Sequence, residues 1–234
     1  MAQSDNQEVF ICFEGKYHAE SVPKALGYYE TLSELVTHQP GFVSQTPFVS
    51  VDQDNAQVLY VKFDNAEHLH AWKNLPIHLG IQWDGRHEMF VDYRLRIGNE
   101  ALGSGPEEGD SDQITLSTGQ YLLLWQYPRH PNETDDMCGH MATMVPSAPP
   151  AVWQGLVDAA TYKSDTEMLR ISSWATRRIG LMVKDSIPRV DGDGLNLIRV
   201  ERDYGKYQRQ GAPSDATRCQ NAAHEHDKEG LKRC

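Results

Sequence analysis

Residues 56–98 read AQVLYVKFDNAEHLHAWKNLPIHLGIQWDGRHEMFVDYRLRIG, and this stretch decides the fold. It opens with AQVLYVKFD, a run rich in β-branched and aromatic side chains that predicts a strand. Residues 66–75 predict a helix that breaks at Pro76, because proline lacks the amide hydrogen that a helix interior needs. The helix resumes as IHLGIQW, and residues 88–98 predict a closing strand.

The residues before this stretch complete a four-stranded unit. Residues 8–18 alternate apolar side chains and predict a strand that is buried on at least one face. Residues 23–36 begin with proline and carry apolar residues three and four apart, which predicts an amphipathic helix. Residues 42–51 predict a strand that turns back into the strand beginning at residue 56. The resulting order, β-α-β-β-α-β, is ferredoxin-like.

The second half of the chain repeats this order more loosely. Strands are predicted for residues 119–128, 167–176, 178–186 and 195–204. A helix is predicted for residues 149–162, where Val152, Trp153, Leu156, Val157 and Ala160 fall on one helical face. The second helix of this repeat is expected to be missing or reduced to residues 187–194.

The fold class that follows is α+β, with two ferredoxin-like repeats. A four-stranded sheet with helices on one face leaves its other face bare, and a partly apolar face must be covered. Two such sheets packed face to face form a barrel, and we expect them to enclose a water-poor chamber for a flat organic molecule. The second sheet comes from the same chain or from a homodimer.

The expected domain organisation has four parts. Residues 1–100 form the first ferredoxin-like domain, and residues 119–204 form the degenerate second one. Between them, residues 101–118 are acidic and rich in Gly, Ser and Pro, which predicts a flexible linker. Residues 205–234 contain few large aliphatic side chains, so a polar, disordered tail is expected.

Composition excludes some classes of function. The chain has 234 residues and a formal net charge of −11, so phosphate-rich partners, nucleic acid and anionic membranes, are not expected. No apolar stretch reaches the length of a membrane span, and the first residues do not resemble a signal peptide. Without a secretion signal, the four cysteines are expected to be reduced, in a cytoplasmic protein.

The first half resembles the antibiotic-biosynthesis-monooxygenase (ABM) domain of the dimeric α+β barrel superfamily. Residues 40–42, Pro-Gly-Phe, follow the first helix, and the strand VLYVKF leads to the helix that carries Trp72, Pro76 and His78. Gly85 and Arg86 then precede the closing strand. The resemblance covers residues 8–98, and the second half, which lacks the Trp…Pro-x-His helix, shares only the outline.

This resemblance implies an enzyme that acts on a small aromatic molecule. Family members include cofactor-independent monooxygenases that oxidise polyphenolic polyketides, as well as haem-degrading enzymes. The latter use an asparagine on the first strand, which residues 8–18 lack, and this argues against haem degradation. No flavin, nicotinamide or haem signature is present, so no cofactor is expected.

His78 and Trp72 are the candidate catalytic residues. A histidine titrates near neutral pH and can act as general base or acid, and a tryptophan can stack on a flat substrate. The competing interpretations are a histidine that fixes the helix break at Pro76 and a tryptophan that packs the helix on the sheet.

Four further residues are candidates for substrate binding. His68 shares a helical face with Trp72, and Trp125, Trp174 and Arg177 are the aromatic and cationic candidates in the second half. Ordinary core packing and a solvated turn are the alternatives for the last three. No metal site is expected, because His68 and His70 point about 200° apart on a helix.

Three functions remain open. The first is a cofactor-independent monooxygenase of secondary-metabolite biosynthesis that oxidises a phenolic substrate. The second is a non-oxidative cyclase or dehydratase that uses the same cavity. The third is a non-catalytic ligand-binding or stress-related barrel protein.

Overall fold

The structure is a computed structural model that describes residues 7–101, 120–129, 154–189 and 191–207. The predicted linker lies outside the described residues except for Ala101, and the predicted tail lies outside them except for residues 205–207.

The first half has the predicted β-α-β-β-α-β order. Its strands and helices, in chain order, are β1 (Val9–Tyr17), α1 (Val22–Val36), β2 (Phe42–Ser50), β3 (Ala56–Phe63), α2 (Ala66–Lys73), α3 (Pro76–Asp84) and β4 (Phe90–Glu100). Pro76 occupies the first turn of α3, where its missing amide hydrogen costs nothing, so the predicted helix break is confirmed. A π-helical turn, Gly85–Met89, joins α3 to β4.

The second half corrects two of the sequence predictions. Its elements are β5 (Tyr121–Pro128), β6 (Leu156–Lys163), β7 (Glu167–Trp174), α4 (Arg177–Ser186) and β8 (Gly194–Gly205). The helix predicted for residues 149–162 is a strand in its described C-terminal part. The strand predicted for residues 178–186 is the helix α4, which is the second helix of the repeat that was expected to be missing or reduced to residues 187–194.

The eight strands close into one barrel in the order β1-β3-β2-β6-β7-β5-β8-β4. Each half contributes four adjacent strands with the same relative order. Two antiparallel seams join the halves: a short one between β2 and β6 and a long one between β4 and β8. The α+β class with two ferredoxin-like repeats is therefore confirmed, and the second sheet comes from the same chain.

Strand alternation divides the molecule into an interior and two outer layers. Phe10 and Cys12 point into the barrel and pack with apolar side chains from both halves, including Leu124 and Ile171. Ile11 and its neighbours on β3 and β4 point outward and pack beneath α1 and α2. The barrel interior is thus occupied by packed side chains, and the chamber that the sequence placed between the two sheets lies elsewhere.

A polar network crosses the barrel between the halves. Arg96 on β4 is 2% exposed and contacts Glu14 on β1 and Ser173 on β7. Asp158 on β6 accepts hydrogen bonds from Ser173 and from Arg94, the latter at 2.6 Å. Burial alone would raise the pKa of the Asp158 carboxyl, but Arg96, Ser173 and Arg94 outweigh it and hold that pKa below its usual range.

Candidate functional site

A cavity of about 230 Å³ lies on the outer, helix-covered side of the first-half sheet. Its floor is formed by outward-facing side chains of β1, β3 and β4, such as Phe13, Leu59 and Leu95. Its roof is formed by α1, α2, α3 and the π-helical turn. Most of the lining is apolar or aromatic, as is typical of pockets for small organic molecules.

Trp72 and His78 lie together in the wall of this cavity. Trp72 lies in the last turn of α2 and His78 in the first turn of α3, so the break at Pro76 folds one side chain onto the other. The ring centroids are 4.3 Å apart and the ring planes differ by 32°. Trp72 is 7% exposed, which places its indole in the wall rather than on the surface.

A hydrogen bond fixes the imidazole of His78. Its Nδ1 lies 3.0 Å from the backbone carbonyl oxygen of Trp72. A carbonyl oxygen can only accept, so Nδ1 donates, and in the neutral imidazole Nε2 is then the basic nitrogen. The two catalytic candidates are therefore brought together, with an arrangement suited to general-base chemistry.

Tyrosines contribute hydroxyl groups to a mostly apolar lining. Tyr17 accepts a hydrogen bond of 2.5 Å from Gln57, and both side chains line the cavity. Burial raises the pKa of Tyr17 to about 12, and the hydrogen bond from Gln57 offsets only part of this effect. Tyr28 on α1 donates to Asp84 at the end of α3 at 2.5 Å and so ties two roof helices together.

His68 serves the fold rather than the cavity in this structure. Its Nδ1 lies 2.6 Å from Oδ1 of Asp64. Its backbone N–H donates a hydrogen bond to Oδ1 of Asn65, the residue that caps α2. The ring lies against Gly41, whose φ of 70° belongs to the left-handed region that favours glycine. His68 thus holds the start of α2 against the turn before β2, and it is not among the described residues that line the cavity.

The three second-half candidates lie away from the cavity. Trp125 and Trp174 belong to a buried cluster between the second-half sheet and α4. Arg177, 5% exposed, begins α4 rather than lying in a solvated turn. None of the three is among the described lining residues, so of the six candidates only Trp72 and His78 meet at the cavity.

Sequence reasoning missed several lining residues. The strand and helix patterns assign no functional role to Tyr17 and Tyr28, and the sequence gives no binding role to Lys73 or Arg86, yet all four line the cavity. The sequence does contain part of the information that locates this wall. Residues 13, 59 and 95 share the outward face of their strands, so the helices covering that face had to supply the remaining wall.

Comparison with known proteins gives a relative that spans nearly the whole chain. No family model matches. The chain is 21% identical over 215 residues to the jasmonate monooxygenase ABM of Pyricularia oryzae, a match that covers 87% of this chain and 95% of the relative. The resemblance predicted from residues 8–98 is therefore confirmed, and it extends into the second half.

Similar solved structures each span less than half of this chain. The cofactor-independent oxygenase SnoaB from Streptomyces nogalater has 19% identity and a TM-score of 0.37, covering 43% of this chain and 99% of its own. An antibiotic-biosynthesis-monooxygenase-type protein from Nitrosomonas europaea has 15% identity and a TM-score of 0.37, covering 45% of this chain and 100% of its own. No helix in the described part of the chain is long and apolar enough to cross a membrane.

Proposed function

We propose that this chain, which is similar over 215 residues to the jasmonate monooxygenase ABM of Pyricularia oryzae, is a monooxygenase that oxidises a small, flat, phenolic molecule in the helix-side cavity. The observation that carries the proposal is the close contact of the Trp72 and His78 rings in the wall of a largely apolar cavity of about 230 Å³. The substrate supplies the electrons, and the protein supplies deprotonation, orientation and exclusion of water.

His78 is the proposed base. With its Nδ1 hydrogen donated to the Trp72 carbonyl, Nε2 takes the proton of the phenolic hydroxyl. The imidazole keeps its orientation throughout, because the hydrogen bond to the backbone does not depend on the substrate. The phenolate that results is far richer in electrons than the neutral phenol.

Oxygen then reacts with the phenolate in the cavity. The anion passes one electron to O₂, and the two radicals combine to form a carbon–oxygen bond. Cleavage of the O–O bond leaves one oxygen atom on carbon as a carbonyl, and the other leaves as water. The methylene carbon of an anthrone loses four electrons when it becomes the second carbonyl of the quinone. O₂ gains these four electrons, so the reaction balances.

Trp72 is the proposed platform for the aromatic substrate. Its indole is buried in the wall and fixed by stacking on His78, so a ring that packs on it is held near the base. Apolar neighbours such as Phe13 and Leu95 keep water from the radical pair.

Oxygen uptake with an anthrone-type substrate tests the proposal. We expect one O₂ consumed per quinone formed, and a rate reduced about 100-fold or more in His78→Ala, the range for loss of a general base. The matched control is His70→Ala, because His70 is exposed on α2, outside the described cavity lining. Uptake no faster than that of His78→Ala would overturn the proposal.

A second candidate follows from the curated relative. Its match covers 87% of this chain, which favours oxidation of a jasmonate-like cyclic acid. Incubation with jasmonate and detection of a product heavier by one oxygen atom tests this candidate. The non-oxidative alternative, a cyclase or dehydratase, is distinguished by product formation under strict anaerobiosis.

A further inference from the structure

We propose that the substrate carries a carboxylate at the end remote from His78, and that Arg86 binds it. This inference rests on the proposed function only in taking the helix-side cavity as the binding site. It goes beyond that function by assigning the charge of the ligand and the residue that selects it.

The cavity lining has a charge opposite to that of the protein. Lys73 and Arg86 line the cavity, and the described lining residues include no aspartate or glutamate. The whole chain carries a formal net charge of −11. Low-dielectric walls strengthen the attraction between a lining cation and a ligand anion, so the cavity favours an organic anion despite the net negative charge of the chain.

Local contacts direct the acidic neighbours of Arg86 toward α1. Arg86 lies in the π-helical turn after α3, between Asp84 and Glu88. Asp84 accepts a hydrogen bond from Tyr28 at 2.5 Å, and Glu88 forms an ion pair with Lys24 at 2.6 Å. Of Asp84, Arg86 and Glu88, only Arg86 is among the described residues that line the cavity.

The spacing of the two cations assigns the carboxylate to Arg86. Lys73 precedes α3 and Arg86 follows it, so the two cations belong to opposite ends of a helix about 13 Å long. Lys73 is adjacent to Trp72, at the end where the reaction is proposed. A carboxylate held by Arg86 therefore directs the ring of the substrate toward Trp72 and His78. The planar guanidinium can also bind both carboxylate oxygens.

Calorimetric titration with two matched probes tests the inference without any turnover. The probes are 2-naphthoate and 2-naphthamide, which share a flat ring system and differ in charge. We expect the native protein to bind 2-naphthoate at least tenfold more tightly. We expect Arg86→Met to reduce this preference to within twofold while the affinity for 2-naphthamide stays unchanged.

The controls separate Arg86 from other cations and from the oxygenase reaction. Arg202→Met, at an exposed position of β8, and Lys73→Met should both keep the preference. Equal affinity for the two probes, failure of both to bind, or loss of the preference in Lys73→Met rather than Arg86→Met would each overturn the inference. A preserved preference in a protein that oxidises no phenol would support it while overturning the proposed function.

Discussion

Arg96 on β4 donates a hydrogen bond of 2.6 Å from Nη1 to the hydroxyl of Ser173 on β7, which joins the two halves inside the barrel. The guanidinium also forms ion pairs with Glu14 from the first half and Asp158 from the second. A buried charge of one repeat is therefore neutralised partly by the other repeat. The halves share one polar core, and neither sheet could keep this network intact alone.

Arg96→Met should destabilise the protein by about 3–5 kcal/mol, because it leaves the carboxylate of Glu14 without its buried cation and removes one of the two arginines that contact Asp158. Urea unfolding followed by circular dichroism measures the loss. Arg202→Met is the matched control, since Arg202 lies on the exposed face of β8. A change below about 1 kcal/mol for Arg96→Met would show that the network does not hold the halves together.

The first half could be predicted from sequence because each local signal agrees with the tertiary structure. Pro76 fixes the start of α3, and Gly41 supplies the left-handed turn before β2. The position of Trp72 and His78 on either side of the helix break followed from the same residues. The location of the cavity did not follow, because the bare face of each sheet is filled by the other sheet.

Prediction of the second half from sequence failed where helical and strand patterns compete. Leu156 and Ala160 are four apart, as in a helix, but pairing with β7 makes their segment a strand. In α4, Thr176 caps the helix by accepting a hydrogen bond from the Ile179 amide at 3.3 Å. Gly180 lets this helix approach Leu197. The Thr176 cap and the four-residue spacing of Ile179 and Val183 are the helical signals in this part of the sequence.

Gly98→Ala should weaken the long seam between the halves. A Cβ at residue 98 would overlap the backbone carbonyl of Arg199, and backbone at this position cannot move without breaking the β4–β8 pairing. We expect a loss of at least about 2 kcal/mol, in the range of overpacked core substitutions.

Gly27→Ala is the matched control for this substitution. Gly27 is exposed within α1, and a Cβ there meets no atom within 4 Å. Because alanine loses less backbone entropy than glycine in a helix, Gly27→Ala should stabilise the protein by about 0.5–1 kcal/mol. Thermal unfolding of the two variants side by side measures both effects. An unchanged midpoint of thermal unfolding for Gly98→Ala would contradict the close packing of β4 against β8 at residue 98.

Stability should fall in alkaline solution. Burial raises the pKa of Cys12 to about 12; Arg96 lowers this pKa by a smaller amount and Glu14 raises it slightly. Burial also raises the pKa of Tyr17 to about 12. In the unfolded chain these groups ionise near their ordinary values, about 8.5 and 10. Between those values and about 12 the unfolded state binds fewer protons, so the free energy of unfolding decreases as pH rises.

Urea titrations between about pH 8 and pH 11 should show this decrease, and Cys12→Ala should make the decrease shallower. Alkylation provides an independent measurement. Iodoacetamide should label Cys12 only after unfolding, because the native thiol stays protonated and buried. Rapid labelling of Cys12 in the native protein near pH 8.5 would contradict the raised pKa.

Quenching of tryptophan fluorescence should locate the ligand beside Trp72. We expect a hydroxyanthraquinone, a flat product analogue, to quench the tryptophan fluorescence of the native protein. We expect it to bind Trp72→Phe about 3- to 10-fold more weakly, the range expected for the loss of an aromatic contact. Trp83→Phe is the matched control, because Trp83 lies on α3 but is 51% exposed and stacks on His87 at the surface. If Trp83→Phe instead removed the quenching, the ligand would lie outside the roof helices, and His78 would have no substrate within reach.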